Sequence, residues 1–116
     1  MHSLTEENYL KAIYKLLEKG EKKISTTAIA ALVETAPASV TDMLKKLAEK
    51  KLIRYEKYQG VTLSGSGKKV AVDIIRKHRL WEFFLVEKLG FGWDQVHDIA
   101  EQLEHIKSEA LITRLD

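Results

Sequence analysis

The sequence predicts a mainly α fold in which a winged helix-turn-helix domain is followed by a helical dimerisation domain. One observation is the order of segments in the first half: helix, short helix, turn, helix and β-hairpin, which is typical of a winged helix-turn-helix. Another is that the second half consists of long segments with apolar residues at helical spacing. We place the DNA-binding domain at residues 1–70 and the helical domain at residues 71–116.

Periodicity and capping residues predict the first three helices. The first helix, over residues 4–19, carries apolar residues at helical spacing. Ser25 or Thr26 caps a short second helix. The third helix begins at Pro37, which a first turn tolerates, and ends near Lys51. Its inward-facing side chains are predicted to be those of Val40, Leu44 and Leu47.

The remaining elements are a hairpin and further helices. Extended runs over residues 52–58 and 61–63 form the wing. Two long helices follow over residues 65–89 and 93–107. Another helix begins near Ser108, and because its pattern reaches the last residue we expect the natural protein to continue.

Composition excludes several classes of function. The 116 residues include no cysteine, which removes disulfides, cysteine-ligated zinc, iron–sulfur clusters and thiol nucleophiles. The longest apolar runs are far too short for a membrane span, and no signal peptide is visible, so we expect a cytoplasmic protein with no membrane partner. A net charge of only +2 means that any DNA-binding face depends on local clustering of basic residues.

The third helix and the wing carry the residues expected at a DNA interface. Short side chains open the helix, where base edges in the major groove must be approached closely. Lysines follow, as is typical of phosphate contacts. For any single lysine a solvated surface position is the better explanation, and it is the complete order of elements that favours DNA binding. The predicted contacts to double-stranded DNA are Thr26, Ala38, Ser39, Thr41, Asp42, Lys45, Lys46, Lys57 and Tyr58.

Histidine and glutamate are concentrated at helical spacing in the second half. His78 and Glu82 are four residues apart on one predicted helix and share a face. A stripe on the next predicted helix consists of His97, Glu101, Glu104 and His105. Imidazole and carboxylate together suit divalent first-row metals. The alternatives are a solvent-facing polar stripe and histidines that pair with neighbouring carboxylates, but so many glutamates and histidines together would repel one another or lack partners without a shared cation.

The end of the fourth predicted helix is apolar nearly all round, so it is buried on more than one side. Both core packing and a homodimer interface are consistent with this, and we expect a mixture of the two. A dimer would place two recognition helices on a palindromic operator. The predicted interface residues are Trp81, Phe84, Leu85 and Leu89.

With both groups of residues in place, the sequence resembles the diphtheria-toxin-repressor family of iron- and manganese-dependent transcription regulators. The resemblance covers essentially the whole chain. It is carried by Glu7-Asn8-Tyr9-Leu10, Ile13-Tyr14, Ser39-Val40-Thr41, Tyr55 to Leu63, Arg76-Lys77-His78-Arg79-Leu80 with Glu82, Val96-His97-Asp98, and Glu101 to His105.

This resemblance implies two metal sites. The ancillary site of the family corresponds to His78, Glu82 and His97, and the primary site to Asn8, Glu101, Glu104 and His105. Many members add an SH3-like C-terminal domain that is missing here. Glutamate at position 101, where iron-type relatives have cysteine, favours Mn(II), with Fe(II) next.

Two positions depart from the family pattern. Asn8 replaces the usual Met or Asp, and Lys11 replaces the second carboxylate of the manganese class. The implied role is repression of metal-uptake genes when metal is abundant.

Two other functions are open on the sequence. One is a metal-independent winged-helix regulator that senses a small molecule. The other is a metallohydrolase using His78, Glu82, His97 and Glu101, although the chain has no H-E-x-x-H motif.

Overall fold

The computed structural model describes residues 2–21, 24–56 and 60–116. The chain divides into two compact units, Met1–Val72 (unit 1) and Asp73–Asp116 (unit 2). The elements are α1 (Leu4–Glu18), α2 (Thr26–Val33), α3 (Pro37–Glu49), β1 (Ile53–Glu56), β2 (Gly60–Leu63), α4 (Gly65–Leu89), α5 (Trp93–Leu103) and α6 (Glu109–Leu115). This order confirms the predicted fold class.

The helices of unit 1 begin at residues whose side chains or backbone suit a helix start. The Ser3 hydroxyl accepts a hydrogen bond from the Glu6 N–H, and the Glu6 carboxylate accepts one from the Ser3 N–H, which is a capping box. Of the two caps considered for α2, Ser25 is the one used, since its hydroxyl accepts from the Ala28 N–H. α3 begins at Pro37, whose missing N–H costs nothing in a first turn.

The core of unit 1 lies between α1, α2, α3 and the hairpin. Apolar residues from all of these elements are fully or almost fully buried there, and the three inward-facing residues predicted for α3 are among them. The cluster includes Leu10, Ile13, Ile29, Val40, Leu44, Leu47, Ile53 and Val61. Their burial holds α3 by one face and leaves its opposite face for solvent or a ligand.

The hairpin is antiparallel, with Ile53 opposite Leu63 and Glu56 opposite Gly60. Its first strand begins at Ile53, one residue after the predicted start, and the structure describes it as far as Glu56. Lys57 and Tyr58 of the predicted wing lie outside the described residues. Ser64 joins the hairpin to α4, because its hydroxyl donates to the Leu52 carbonyl and accepts from the Gly67 N–H.

Unit 2 is built around a smaller apolar cluster formed by Trp81, Leu85, Val96 and Ala100. Trp81 also contacts Phe84 edge to face, with ring centroids 5.9 Å apart. These contacts fix α5 against the second half of α4. Within the part of the chain that the structure describes, no helix is long and apolar enough to cross a membrane.

The predicted end of the fifth helix at residue 107 is wrong, since α5 ends at Leu103. The Ile106 N–H donates to the Leu103 carbonyl in a tight turn. Ser108 then takes an extended conformation and caps α6, its hydroxyl accepting from the Leu111 N–H. The apolar pattern continues through this region, but a serine that caps a new helix competes with continuation of the old one.

Candidate functional site

His78 is the centre of the polar group in unit 2. It lies on α4 and is only 8% exposed. Its Nδ1 lies 2.9 Å from Oε2 of Glu104, and its Nε2 lies 3.4 Å from Oε2 of Glu82. Both ring nitrogens therefore face carboxylates, one from the end of α5 and one from the next turn of α4.

A possible metal site is formed by His78, Glu82 and His97, each of which offers a ligand atom within 4.8 Å of the others. The i,i+4 spacing on α4 brings the first two together, and α5 adds His97, whose ring centroid is 5.0 Å from that of His78. Two imidazoles and a carboxylate are a donor set that fits a divalent first-row ion. The family resemblance implied the same three residues as an ancillary site.

Glu101 lies with His97, not with the residues that follow it. Its Oε1 is 3.3 Å from Nε2 of His97, and both side chains are about half exposed to solvent. A second possible group of ligands, made of His97, Asp98 and Glu101, is fully on the surface. His97 is thus common to both groups.

Glu104 and His105 are less exposed to solvent than Glu101. Glu104 is the C-cap of α5 and is only 1% exposed, and its Oε1 lies 3.5 Å from Nε2 of His105. Because α5 ends at Leu103, the predicted four-residue stripe on one helix is not formed. Glu101, Glu104 and His105 were predicted to form one site. Among the described residues, they are not a group whose ligand atoms all lie within 4.8 Å of one another.

The fourth residue assigned to the primary site belongs to unit 1. Asn8 lies on α1 and is half-buried, and Lys11, one turn further on, is buried. A role of Asn8 in metal binding stays a prediction.

The outer face of α3 matches the face predicted for DNA. The exposed side chains lie at the spacing that places them on one side of the helix: Ala38, Ser39, Asp42, Lys45 and Lys46. Thr41 is half-buried, and its hydroxyl donates to the Pro37 carbonyl at 3.3 Å. Thr26, at the start of α2, is also half-buried.

Family models match both halves of the chain. Residues 1–61 match the model described as "Iron dependent repressor, N-terminal DNA binding domain". Residues 64–116 match "Iron dependent repressor, metal binding and dimerisation domain". The chain belongs to the iron-dependent repressor family.

The relatives include regulators named for manganese and for diphtheria toxin. The HTH-type transcriptional regulator MntR of Oceanobacillus iheyensis is 38% identical over 110 residues, which are 94% of this chain and 73% of that protein. The diphtheria toxin repressor of Corynebacterium jeikeium is 32% identical over 111 residues, 96% of this chain and 46% of the relative. These matches confirm the family that the sequence resembles, whose members are DNA-binding repressors and not enzymes.

Solved structures of the family share the fold. A structure described as "Manganese-dependent transcriptional repressor complex with manganese" has a TM-score of 0.85 and 40% identity over 96% of this chain. The chain spans about half the length of that protein, 50%.

Within this family the last part of α4 and the start of α5 belong to the metal-binding and dimerisation domain. Of the four residues predicted at a dimer interface, Trp81 and Leu85 are buried in the core of unit 2, and Phe84 packs beside them. Leu89 is exposed. Burial of Trp81 and Leu85 fits the core-packing part of the expectation, and the dimer interface stays a prediction.

Lys50, at the end of α3, forms an ion pair within unit 1. Nζ of Lys50 lies 2.6 Å from Oε2 of the buried Glu6. Burial alone raises the pKa of Glu6, but the hydrogen bonds from Lys50 and Ser3 outweigh it and lower this pKa to about 2. The sequence does not reveal this pairing, because it joins α1 to the end of α3 and no local pattern marks it.

Proposed function

We propose that this protein is a metal-gated repressor that binds a palindromic operator in double-stranded DNA as a homodimer. The observation that carries the proposal is the group of His78, Glu82 and His97, which combines ligand atoms within 4.8 Å with the unit that matches a metal-binding domain. The exposed polar and basic face of α3 is the DNA-reading surface. The regulated genes are those for metal uptake, switched off when the metal is abundant.

The donor set favours Mn(II), with Fe(II) next. Every candidate ligand on α4 and α5 is an imidazole or a carboxylate, and the chain has no thiolate to attract softer ions. A divalent ion held by His78, Glu82 and His97 would supply positive charge that stabilises the ionised carboxylate of Glu82.

The homodimer is proposed to form through the apolar surface near the junction of α4 and α5. Several large apolar side chains there are exposed, with Phe83 at 58%, Leu89 at 57% and Trp93 at 66%. A surface of this kind is a common mark of a protein interface. Trp81 and Leu85, which are buried in the core of unit 2, hold this part of α4 in place.

Metal controls DNA binding if the metal-bound protein has a higher affinity for DNA than the metal-free protein. Metal and DNA then strengthen each other's binding, because a coupling between two sites is reciprocal. A coupling of about 1–3 kcal/mol corresponds to a change in operator affinity of about 5–150-fold.

The test is fluorescence anisotropy on DNA from upstream of the protein's own gene and of neighbouring transporter genes. Binding is measured in chelator and then with Mn(II), with Fe(II) under anaerobic conditions, and with Zn(II). Affinity is expected to rise by about 5–150-fold with Mn(II) or Fe(II). Glu87→Gln on the exposed face of α4 is the matched control for Glu82→Gln, which is expected to lose most of the metal response.

Equal binding in chelator and in metal would contradict gating. That result, with no heat of metal binding in calorimetry, would support the metal-independent regulator that the sequence left open.

A further inference from the structure

We propose that Asp42 determines base specificity, because its carboxylate accepts a hydrogen bond from the amino group of a cytosine in each half of the operator. This inference deepens the proposed function and rests on it, since it assumes that α3 enters the major groove. Its physical basis is that a single exposed carboxylate lies on a helix face whose other charged side chains suit DNA phosphates.

The position of Asp42 on α3 is set by the core of unit 1. Ala38 lies one turn before it, and Lys45 and Lys46 lie one turn after it, so all four residues share one side of the helix. All four are exposed. Leu44, two residues after Asp42, is fully buried on the opposite side. The rotation of α3 about its axis is therefore fixed, and Asp42 faces outward together with the two lysines.

No role within unit 1 accounts for this carboxylate. Asp42 lies beyond the first turn of α3, which begins at Pro37, so its charge does not stabilise the start of the helix. In the part of the chain that the structure describes, it forms no ion pair with Lys45 or Lys46. Its negative charge is thus available to a ligand.

The chemistry of the major groove determines which base such a group can contact. An ionised carboxylate only accepts hydrogen bonds. The donors on the base edges are the amino groups of cytosine and adenine, and adenine presents the acceptor N7 beside its amino group. Guanine presents acceptors, and thymine an acceptor and a methyl group. Cytosine is therefore the base that Asp42 selects.

Selection arises from repulsion as well as from the hydrogen bond. A carboxylate brought close to a base without a donor loses water and gains no partner, and the phosphates repel it. Lys45 and Lys46 offset that repulsion by neutralising phosphates nearby, so the face as a whole still favours DNA. A base pair without a suitably placed donor is expected to weaken binding by about 5–150-fold at each half-site.

The test is selection of sequences from duplexes with a randomised centre, using the full chain loaded with Mn(II). The motif enriched by the wild type is expected to contain a cytosine at one position of each half. In Asp42→Asn that position is expected to change to adenine, because an amide pairs with N6 and N7 of adenine. The matched control is Glu49→Gln, an exposed carboxylate at the far end of α3, which should enrich the wild-type motif.

Anisotropy on the enriched duplex gives the magnitude. Replacing the cytosine by thymine is expected to weaken binding of the wild type by about 5–150-fold and to have little effect on Asp42→Ala. Identical motifs for wild type and Asp42→Asn would overturn the proposal and leave the repressor function intact, and so would a wild-type base other than cytosine at the position that changes. A wild type that enriches no motif would overturn both.

Discussion

At the scale of single residues, Glu6 shows how one side chain links distant parts of unit 1. Its Oε1 accepts from the Ser3 N–H at 2.9 Å and completes the cap of α1. Its Oε2 pairs with Lys50, the C-cap of α3. The start of α1 is thereby connected to the end of α3 by a carboxylate that is almost fully buried.

This arrangement predicts a pH-dependent contribution to stability. The pKa of Glu6 is about 2 in the folded chain, against 4.5 as the ordinary value. Because the folded-state pKa is depressed, the contribution is full above pH 4.5 and is lost as the pH falls towards 2. Glu6→Gln keeps an acceptor for Ser3 but loses the charge, and we expect it to lower the free energy of unfolding by about 1–3 kcal/mol at pH 7.

Urea denaturation at pH 7, 5 and 3 measures this difference. The gap between wild type and Glu6→Gln is expected to shrink by about half or more at pH 3. Glu49→Gln on the exposed side of α3 is the control and should show no comparable gap. A Glu6→Gln gap that is independent of pH would mean that packing, and not the ion pair, causes the loss.

At the scale of elements, the end of α3 holds a non-glycine residue in the left-handed region. Lys51 has φ 61. The Lys51 N–H donates to the Ala48 carbonyl and the Leu52 N–H to the Leu47 carbonyl, which together are the two bonds of a Schellman motif. That position usually holds glycine, because a Cβ is strained there.

Lys51→Gly is therefore expected to raise the free energy of unfolding by about 0.5–1 kcal/mol. Lys46→Gly, in the last turn of the same helix, should lower it by about 1 kcal/mol, since glycine is unfavourable inside a helix. Thermal unfolding of both variants gives the comparison. If both substitutions lower the stability, the free energy of the left-handed strain at Lys51 is smaller than the free-energy cost of the conformational entropy that glycine adds to the unfolded chain.

The elements themselves were predictable to a large extent because their signals are local. Pro37, Ser25 and Ser108 mark helix starts where the structure has them, and the apolar spacing of α3 selects the residues that are buried. The end of α5 was not predictable in the same way. Its pattern continues past Leu103, and only the choice of Ser108 as a new cap ends the helix there.

At the scale of the whole molecule, the pairs within one helix of the candidate site were predictable, but the contact between α4 and the end of α5 was not. Helical spacing brought His78 to Glu82 and His97 to Glu101, and both pairs are present. The hydrogen bond between His78 and Glu104 joins residues that are 26 positions apart, and no spacing rule connects them. It depends on where α5 ends and on how α5 packs against α4.

The charge of the whole molecule makes one further prediction about DNA binding. With a net charge of only +2, salt-dependent affinity is expected to come from a few clustered basic residues, among them lysines on the face of α3, and not from the overall charge. Lys45 and Lys46 are exposed on that face, whereas Lys50 forms an ion pair with Glu6. Only the first two are expected to release counterions from phosphates.

The measurement is the slope of log affinity against log salt concentration on the operator. Each of Lys45→Ala and Lys46→Ala is expected to reduce the slope by roughly 0.9 for every phosphate that is no longer neutralised, hence roughly 1.8 for a dimer. Lys50→Met should leave the slope unchanged even if it weakens binding, because it acts through the position of α3. Lys88→Ala in unit 2 controls for charge alone. A slope that falls as much in Lys50→Met as in Lys45→Ala would place Lys50 on the phosphates and remove its positioning role.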